Sequence, residues 1–195
     1  MSDQIPKRNY LTIVSGLPRS GTSMMMRLLE AGGLEILMDQ IRRPDEDNPR
    51  GYYEFEPVKR TKQDPSWVRS SDGKVVKMVY RLLYDLPDER TYRVLFTKRR
   101  LSEVYASQNV MLERHCKNAD PMDEAKFCKL FRTEIDKVKH WLDGQPNFKT
   151  LEVDYNQTLE DPAPTIEAID QFLDGGLDHR SMLGVIDKGL YRQRQ

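Results

Sequence analysis

Residues 10–23 read Tyr10-Leu11-Thr12-Ile13-Val14-Ser15-Gly16-Leu17-Pro18-Arg19-Ser20-Gly21-Thr22-Ser23. The run Tyr10–Ser15 is short, apolar and rich in β-branched residues, and it stops at a glycine, which predicts a buried strand. A helical segment over Thr22–Ala31 follows, closed by Gly32-Gly33. Strand, glycine loop and helix in that order open a parallel α/β sheet. The connection between them has the G-x-x-x-x-G spacing of a nucleotide phosphate loop, from Gly16 to Gly21. Glycines let the backbone curl so that successive N–H groups face one anion, and the helix adds its positive dipole end.

Working outward, Val75–Val79, Tyr92–Thr97 and Phe148–Val153 have the length and composition of further buried strands. Helices separate them. Leu101, Val104, Tyr105, Met111 and Leu112 follow helical spacing, with Gln108 interrupting the stripe. Asp120-Pro121 is expected to cap a longer helix that carries Cys128, Phe131, Ile135, Val138 and Leu142 on one face. A last helix is expected after Asp161-Pro162, with Ile166, Ile169, Phe172 and Leu173 inward and Gly175-Gly176 at its end. The stretch Asp39–Lys62 is charged, proline-interrupted and aromatic, so it reads as a long excursion over the domain, the kind of loop that often carries function.

The length of 195 residues accommodates one well-buried domain spanning 1–195. Lys and Arg total 31 against 31 Asp and Glu, so the summed charge draws in neither nucleic acid nor anionic lipid, and any anion site must be local. No apolar run reaches the roughly 20 residues of a membrane span, and a soluble, cytoplasmic protein is expected. Cys116 and Cys128 have neither zinc-site spacing nor the number of a disulfide scaffold, and are expected to be reduced and structural.

Thr22 stands where an ATP- or GTP-using loop carries lysine, and no apolar strand ends in the aspartate that helps hold magnesium in such proteins. A kinase or NTPase reading is weakened accordingly. Arg19 puts a cation inside the loop instead, and Thr22 and Ser23 offer hydroxyl donors.

The run Pro18-Arg19-Ser20-Gly21-Thr22-Ser23 resembles the 5′-phosphosulfate loop of the sulfotransferase superfamily, in its bacterial-type branch. The resemblance implies a three-layer α/β/α sandwich around a central parallel sheet, similar to P-loop nucleoside triphosphate hydrolases. It implies 3′-phosphoadenosine 5′-phosphosulfate (PAPS) as donor cosubstrate, held by Pro18, Arg19, Ser20, Gly21, Thr22 and Ser23, and no metal requirement. In that family an arginine at a strand end and a serine eight residues later hold the 3′-phosphate, and Arg99 and Ser107 have that spacing. The family commonly has Asp-Pro or Asn-Pro after the arginine; here Arg100-Leu101 follows, so Arg100 stays an alternative. The closing segment resembles the family's basic tails, with Lys188, Arg192 and Arg194 as further candidates to cover the nucleotide, against the plainer reading of a solvated tail.

Sulfuryl transfer needs the acceptor proton removed, the acceptor aligned, and charge on the leaving phosphate compensated. Cytosolic sulfotransferases carry Lys-Thr-His on the matching strand, the histidine being the base. Here Lys77-Met78-Val79 keeps the lysine and lacks the histidine. Glu54 is the substitute base, since other branches use a glutamate after the first helix; burial beside Tyr52, Tyr53 and Phe55 would raise its pKa, and Glu56 and Asp39 compete. Lys77 as a snorkelling strand-end lysine and Glu54 as a solvated loop carboxylate are the structural alternatives. His115, His140 and His179 form no spaced constellation. The acceptor is a small molecule or glycan of unspecified class, and so short a chain has little material for a roof, which leaves the pocket open or completed by a homodimer partner. A nucleotide-binding module without turnover is the further alternative.

Overall fold

The computed structural model describes residues 6–39, 41, 51–115 and 122–186. The first helix, α1 (Thr22–Ala31), has its predicted bounds, and the first strand, β1 (Leu11–Gly16), lies one residue later than predicted. The backbone explains the shift: the Tyr10 carbonyl accepts from the Gly73 N–H outside the ladder, while Gly16 still pairs with Val79 on one side and Thr97 on the other.

The remaining strands are β2 (Glu35–Leu37), β3 (Lys74–Val79), β4 (Tyr92–Lys98) and β5 (Phe148–Asp154). The helices are α2 (Leu101–His115), α3 (Glu124–Asp143), α4 (Tyr155–Glu160), α5 (Pro162–Phe172) and α6 (His179–Gly184). Single 3-10 turns span Glu56–Arg60, Ser66–Ser70 and Tyr80–Asp85. All five strands run parallel in the order β2-β3-β1-β4-β5. β1 is central, so the chain departs from it to one side and returns to the other. Ligands of open parallel sheets bind at such a reversal, beyond the carboxyl ends of the strands, and here that edge carries residues 16–22.

Strand residues alternate between two cores, as a period of 2 requires. Leu11, Ile13, Val76, Met78, Val94 and Phe96 face the layer of α2, α3 and the 3-10 turns. Val14, Val75, Leu95 and Val153 face the layer of α1, α4, α5 and α6. The result is the three-layer α/β/α arrangement. Side chains such as Ile13, Val14 and Leu95 have no exposed surface, and each contributes about 1.5–3 kcal/mol by burial. α1 meets the sheet through Met24, Met25, Met26, Leu28 and Leu29, all buried; the unbranched thioethers fit an irregular surface.

Three differences from the sequence-based expectation have local causes. α3 is capped by Asp123, whose side chain accepts from the Lys126 N–H at 3.1 Å, and Asp120 and Pro121 lie outside the described residues. β2 escapes pattern recognition because it is three residues of edge strand, paired in parallel to β3 with Glu35 and Lys74 in register and 2.5 Å apart as an ion pair. α4 and α6 are each one and a half turns, too short to show periodicity, and their caps, Asp154 and Asp178, define them.

At the opposite edge of the sheet, arginines close the C-terminus of α5. Arg8 Nε and Nη2 each donate at 2.8 Å, to the carbonyls of Leu173 and Gly175. Arg93 donates to the Phe172 carbonyl and pairs with Asp174 at 2.8 Å. Orphan helix carbonyls are satisfied there by cations, as the dipole favours. Among the described residues, no helix is long and apolar enough to cross a membrane.

Candidate functional site

The loop after β1 is shaped by close approach. A methyl group at Gly16 would lie 2.5 Å from Thr97 Oγ1 and 2.8 Å from Ser20 Oγ. Ser20 is buried; its N–H and its hydroxyl both donate to the Leu17 carbonyl, at 3.1 and 2.7 Å, and its Oγ lies 2.7 Å from Thr97 Oγ1. The sequence motif casts Ser20 among the anion donors, but its side chain is turned inward and ties the loop to β4. Pro18 is exposed on the outer bend, while Thr22 and Ser23 are half-buried at the head of α1.

Gly21 is the N-cap of α1 in the left-handed region, φ 97°. As a glycine it supplies no side-chain cap, and no acidic residue lies in the first turn of the helix. The positive end of the dipole is therefore not offset by any carboxylate of its own helix, a condition suited to an anion. Arg19 also holds positive φ, 72°, a conformation that costs a non-glycine residue ~1–2 kcal/mol and is maintained by its partners. Its Nε donates to Ser107 Oγ at 2.9 Å, and its carbonyl accepts from Arg99 Nη1 at 3.1 Å.

These contacts join what the sequence presents as two sites. Arg99, just past β4, is expected to fold back along α2 toward Ser107. It does fold back: its Nε lies 2.8 Å from Glu103 Oε2, one turn along, and Arg19 from the loop reaches Ser107. Arg100 points to the same carboxylate, Nη1 to Oε1 at 3.4 Å, with 57% of its side chain exposed. The Arg99 guanidinium stacks 4.7 Å from the ring centroid of Tyr155. That ring lies so close to Gly21 that an added methyl would overlap its Cδ2. Thus Tyr155, at the start of α4, wedges between the loop and the strand-end arginine.

Lys77 sits on β3 opposite Val14. Its Nζ donates to the carbonyl of Tyr52 and lies 6.0 Å from the Tyr52 ring centroid. The segment carrying Glu54 is therefore brought to the strand that carries Lys77. Tyr53 turns the chain with φ 53° and donates its hydroxyl to Glu30 Oε2 at 2.7 Å. Burial first, then that hydrogen bond, push the Tyr53 phenol well above its ordinary value.

Glu54 is half-buried, 3.7 Å from Lys59 Nζ. Its competitors are placed as loop structure. The Asp39 carboxylate accepts from the N–H groups of Glu56, at 2.6 Å, and Ile41, at 3.1 Å, and the Asp39 N–H donates to the Glu54 carbonyl at 2.8 Å. Glu56 pairs with Lys59 at 2.7 Å. His179 faces Asp170 at 2.9 Å, and burial pushes the Cys128 thiol up. Lys188, Arg192, Arg194 and Cys116 lie outside the described residues.

Motif reading misses three residues of the site: Glu103, Tyr155 and Asn156. The first had a signal, since Arg99 and Glu103 stand at i,i+4. Asn156 Nδ2 donates to both Glu103 oxygens, at 3.0 and 3.2 Å, a pairing across the sheet that no local pattern announces.

No family model matches the chain, and no curated protein matches it. Solved structures do. The mouse sulfotransferase SULT7A1 complexed with PAP aligns with a TM-score of 0.59 at 15% identity, over 94% of this chain and 66% of that one. The sulfotransferase domain of the Synechococcus PCC 7002 olefin synthase gives 0.55 at 15% identity, over 97% of this chain and 82% of that one. The sulfotransferase domain from the curacin biosynthetic pathway gives 0.55 at 13% identity, over 93% and 79%. The chain spans just under two thirds of the mouse protein's length, and its fold is that of these sulfotransferase structures.

Proposed function

We propose that this sulfotransferase-fold chain is a PAPS-dependent sulfotransferase, transferring a sulfuryl group to a hydroxyl or amine of a small-molecule or glycan acceptor. The observation that carries the reading is the interlock of two cationic positions over an uncapped helix start: Arg19 to Ser107 at 2.9 Å and Arg99 to the Arg19 carbonyl at 3.1 Å. One anion at the head of α1 and a second beside Ser107 suit a nucleotide phosphorylated at both ends better than a linear triphosphate. Thr22 at the lysine position of ATP-using loops supports the same choice.

In this reading Arg19, Gly21, Thr22 and Ser23 hold the 5′-phosphosulfate, with Pro18 and Ser20 shaping the loop, and Arg99 and Ser107 serve the 3′-phosphate. The donor supplies the sulfuryl group. A transferring sulfuryl carries fewer negative charges than a terminal phosphoryl, so side-chain cations can meet the demand with no metal requirement. Lys77 stabilises the charge left on the 5′-phosphate, and Glu54 takes the acceptor proton. Lys77 must exchange its bond to the Tyr52 carbonyl for the ligand, which couples donor binding to the segment holding Glu54.

Incubating the chain with sulfur-labelled donor and an acceptor panel tests the assignment. Lys77→Ala and Glu54→Gln are each expected to lower turnover by about 10²–10⁴-fold, Glu54→Gln leaving nucleotide affinity within a few-fold. Unchanged turnover in both removes their roles. One observation favours a second reading, a nucleotide-binding module without turnover: Lys77-Met78-Val79 lacks the strand histidine. Tight uptake of the nucleotide with every acceptor inert selects that reading.

A further inference from the structure

We infer that Glu103 is a positioning residue for the 3′-phosphate site, a buried carboxylate that preorganises Arg99 and so sets the preference for a 3′-phosphorylated adenylate. The inference rests on the proposed donor. Glu103 lies on α2 with 0% of its surface exposed, directly behind residues proposed to bind an anion. A carboxylate there repels a phosphate and is costly to bury, unless it holds cations that would otherwise scatter.

Its partners fill it. Oε2 takes Arg99 Nε at 2.8 Å, Oε1 takes Arg100 Nη1 at 3.4 Å, and Asn156 Nδ2 donates to both oxygens, at 3.0 and 3.2 Å. Asn156 is itself fixed: its N–H donates to Asp154 Oδ1 at 2.9 Å, and its Oδ1 accepts from the Arg100 N–H at 3.4 Å. The chain of contacts continues outward, from Arg99 Nη1 to the Arg19 carbonyl and from Arg19 Nε to Ser107. Two adjacent arginines repel each other, and one buried carboxylate between them removes that repulsion and the rotamer freedom of Arg99. The Tyr155 ring, 4.7 Å from the guanidinium, limits its remaining motion.

Removing the charge while keeping the shape isolates this role. Wild type and Glu103→Gln are titrated calorimetrically with 3′-phosphoadenosine 5′-phosphate and with 5′-AMP, which lacks only the 3′-phosphate. The ratio of the two affinities is expected to fall at least about tenfold in Glu103→Gln, with 5′-AMP held within about twofold. Loss of both affinities in step, or retention of both, overturns the inference. A wild-type protein that does not prefer the bisphosphate overturns the donor reading itself, which keeps the two failures apart. If Glu103→Gln does not fold, Asn156→Ala keeps the carboxylate but removes the amide that orients it. A smaller fall in the same ratio is then expected, and an unchanged ratio overturns the inference.

Discussion

A methyl group at Gly21 would meet two obstacles at once. The backbone φ of 97° disfavours any side chain, and the added atom would overlap Cδ2 of Tyr155. Tyr155 cannot yield freely, because it is buried in the core and also lies against the Arg99 guanidinium. Gly21→Ala is therefore expected to cost more than about 1 kcal/mol of stability and to weaken nucleotide binding at the same time, read by denaturant melts and calorimetry on one preparation. A variant that binds normally would show that the ring and loop move independently. The turn at Gly21 was legible in the sequence from its spacing, with Arg19 in the loop and Thr22 at the helix start, since a short strand-to-helix loop repeats its backbone geometry. Tyr155 and Asn156 were not. They arrive from a strand-to-helix junction about 130 residues downstream, and only the sheet brings them in. The inward turn of the Ser20 hydroxyl was not legible, because it depends on Thr97 of the neighbouring strand.

At the level of elements, long and strongly patterned segments could be read and short ones could not. α1, β3, β4 and β5 follow from apolar run length and glycine punctuation. β2, α4 and α6 are too brief for periodicity, and the two helices each start on a capping aspartate. α6 illustrates the point: the Asp178 carboxylate takes the Ser181 hydroxyl at 2.6 Å and the Ser181 N–H at 3.0 Å. The hydroxyl bond first, then the amide bond, hold Asp178 below the usual carboxylate range. With the folded value depressed, the unfolded chain binds more protons on acidification. The stabilisation is present above the ordinary aspartate value of about 3.9 and is lost as pH falls through the lowered one. Comparing melting midpoints of wild type and Asp178→Asn against pH, the gap is expected to be open at neutral pH and to close below about pH 4. A gap that does not change with pH contradicts the assignment.

Over the whole molecule, the parallel order β2-β3-β1-β4-β5 puts the two ends of the sheet to different uses. At one edge Arg8 and Arg93 neutralise the end of α5. At the other, β1 and β4 deliver the loop and Arg99 to one region, and β3 runs beside β1 with Lys77 opposite Val14, although these lie far apart in sequence. Balanced net charge makes this cationic cluster a local feature, screened at the range of about 10 Å in ordinary salt. Buried pairs such as Arg99–Glu103 are screened much less. On the proposed function the cluster takes an adenylate phosphorylated at both the 5′ and 3′ positions. Ligand binding to the folded state alone raises stability by about 2.7 kcal/mol at 100 times the dissociation constant, so thermal unfolding can rank ligands before any acceptor is known. Isothermal titration with 3′-phosphoadenosine 5′-phosphate, set beside ATP with magnesium, is the most direct measurement. Saturable uptake of the bisphosphate, at least about tenfold tighter than the triphosphate, is expected; uptake of ATP with none of the bisphosphate would rule out a doubly phosphorylated adenylate as the ligand.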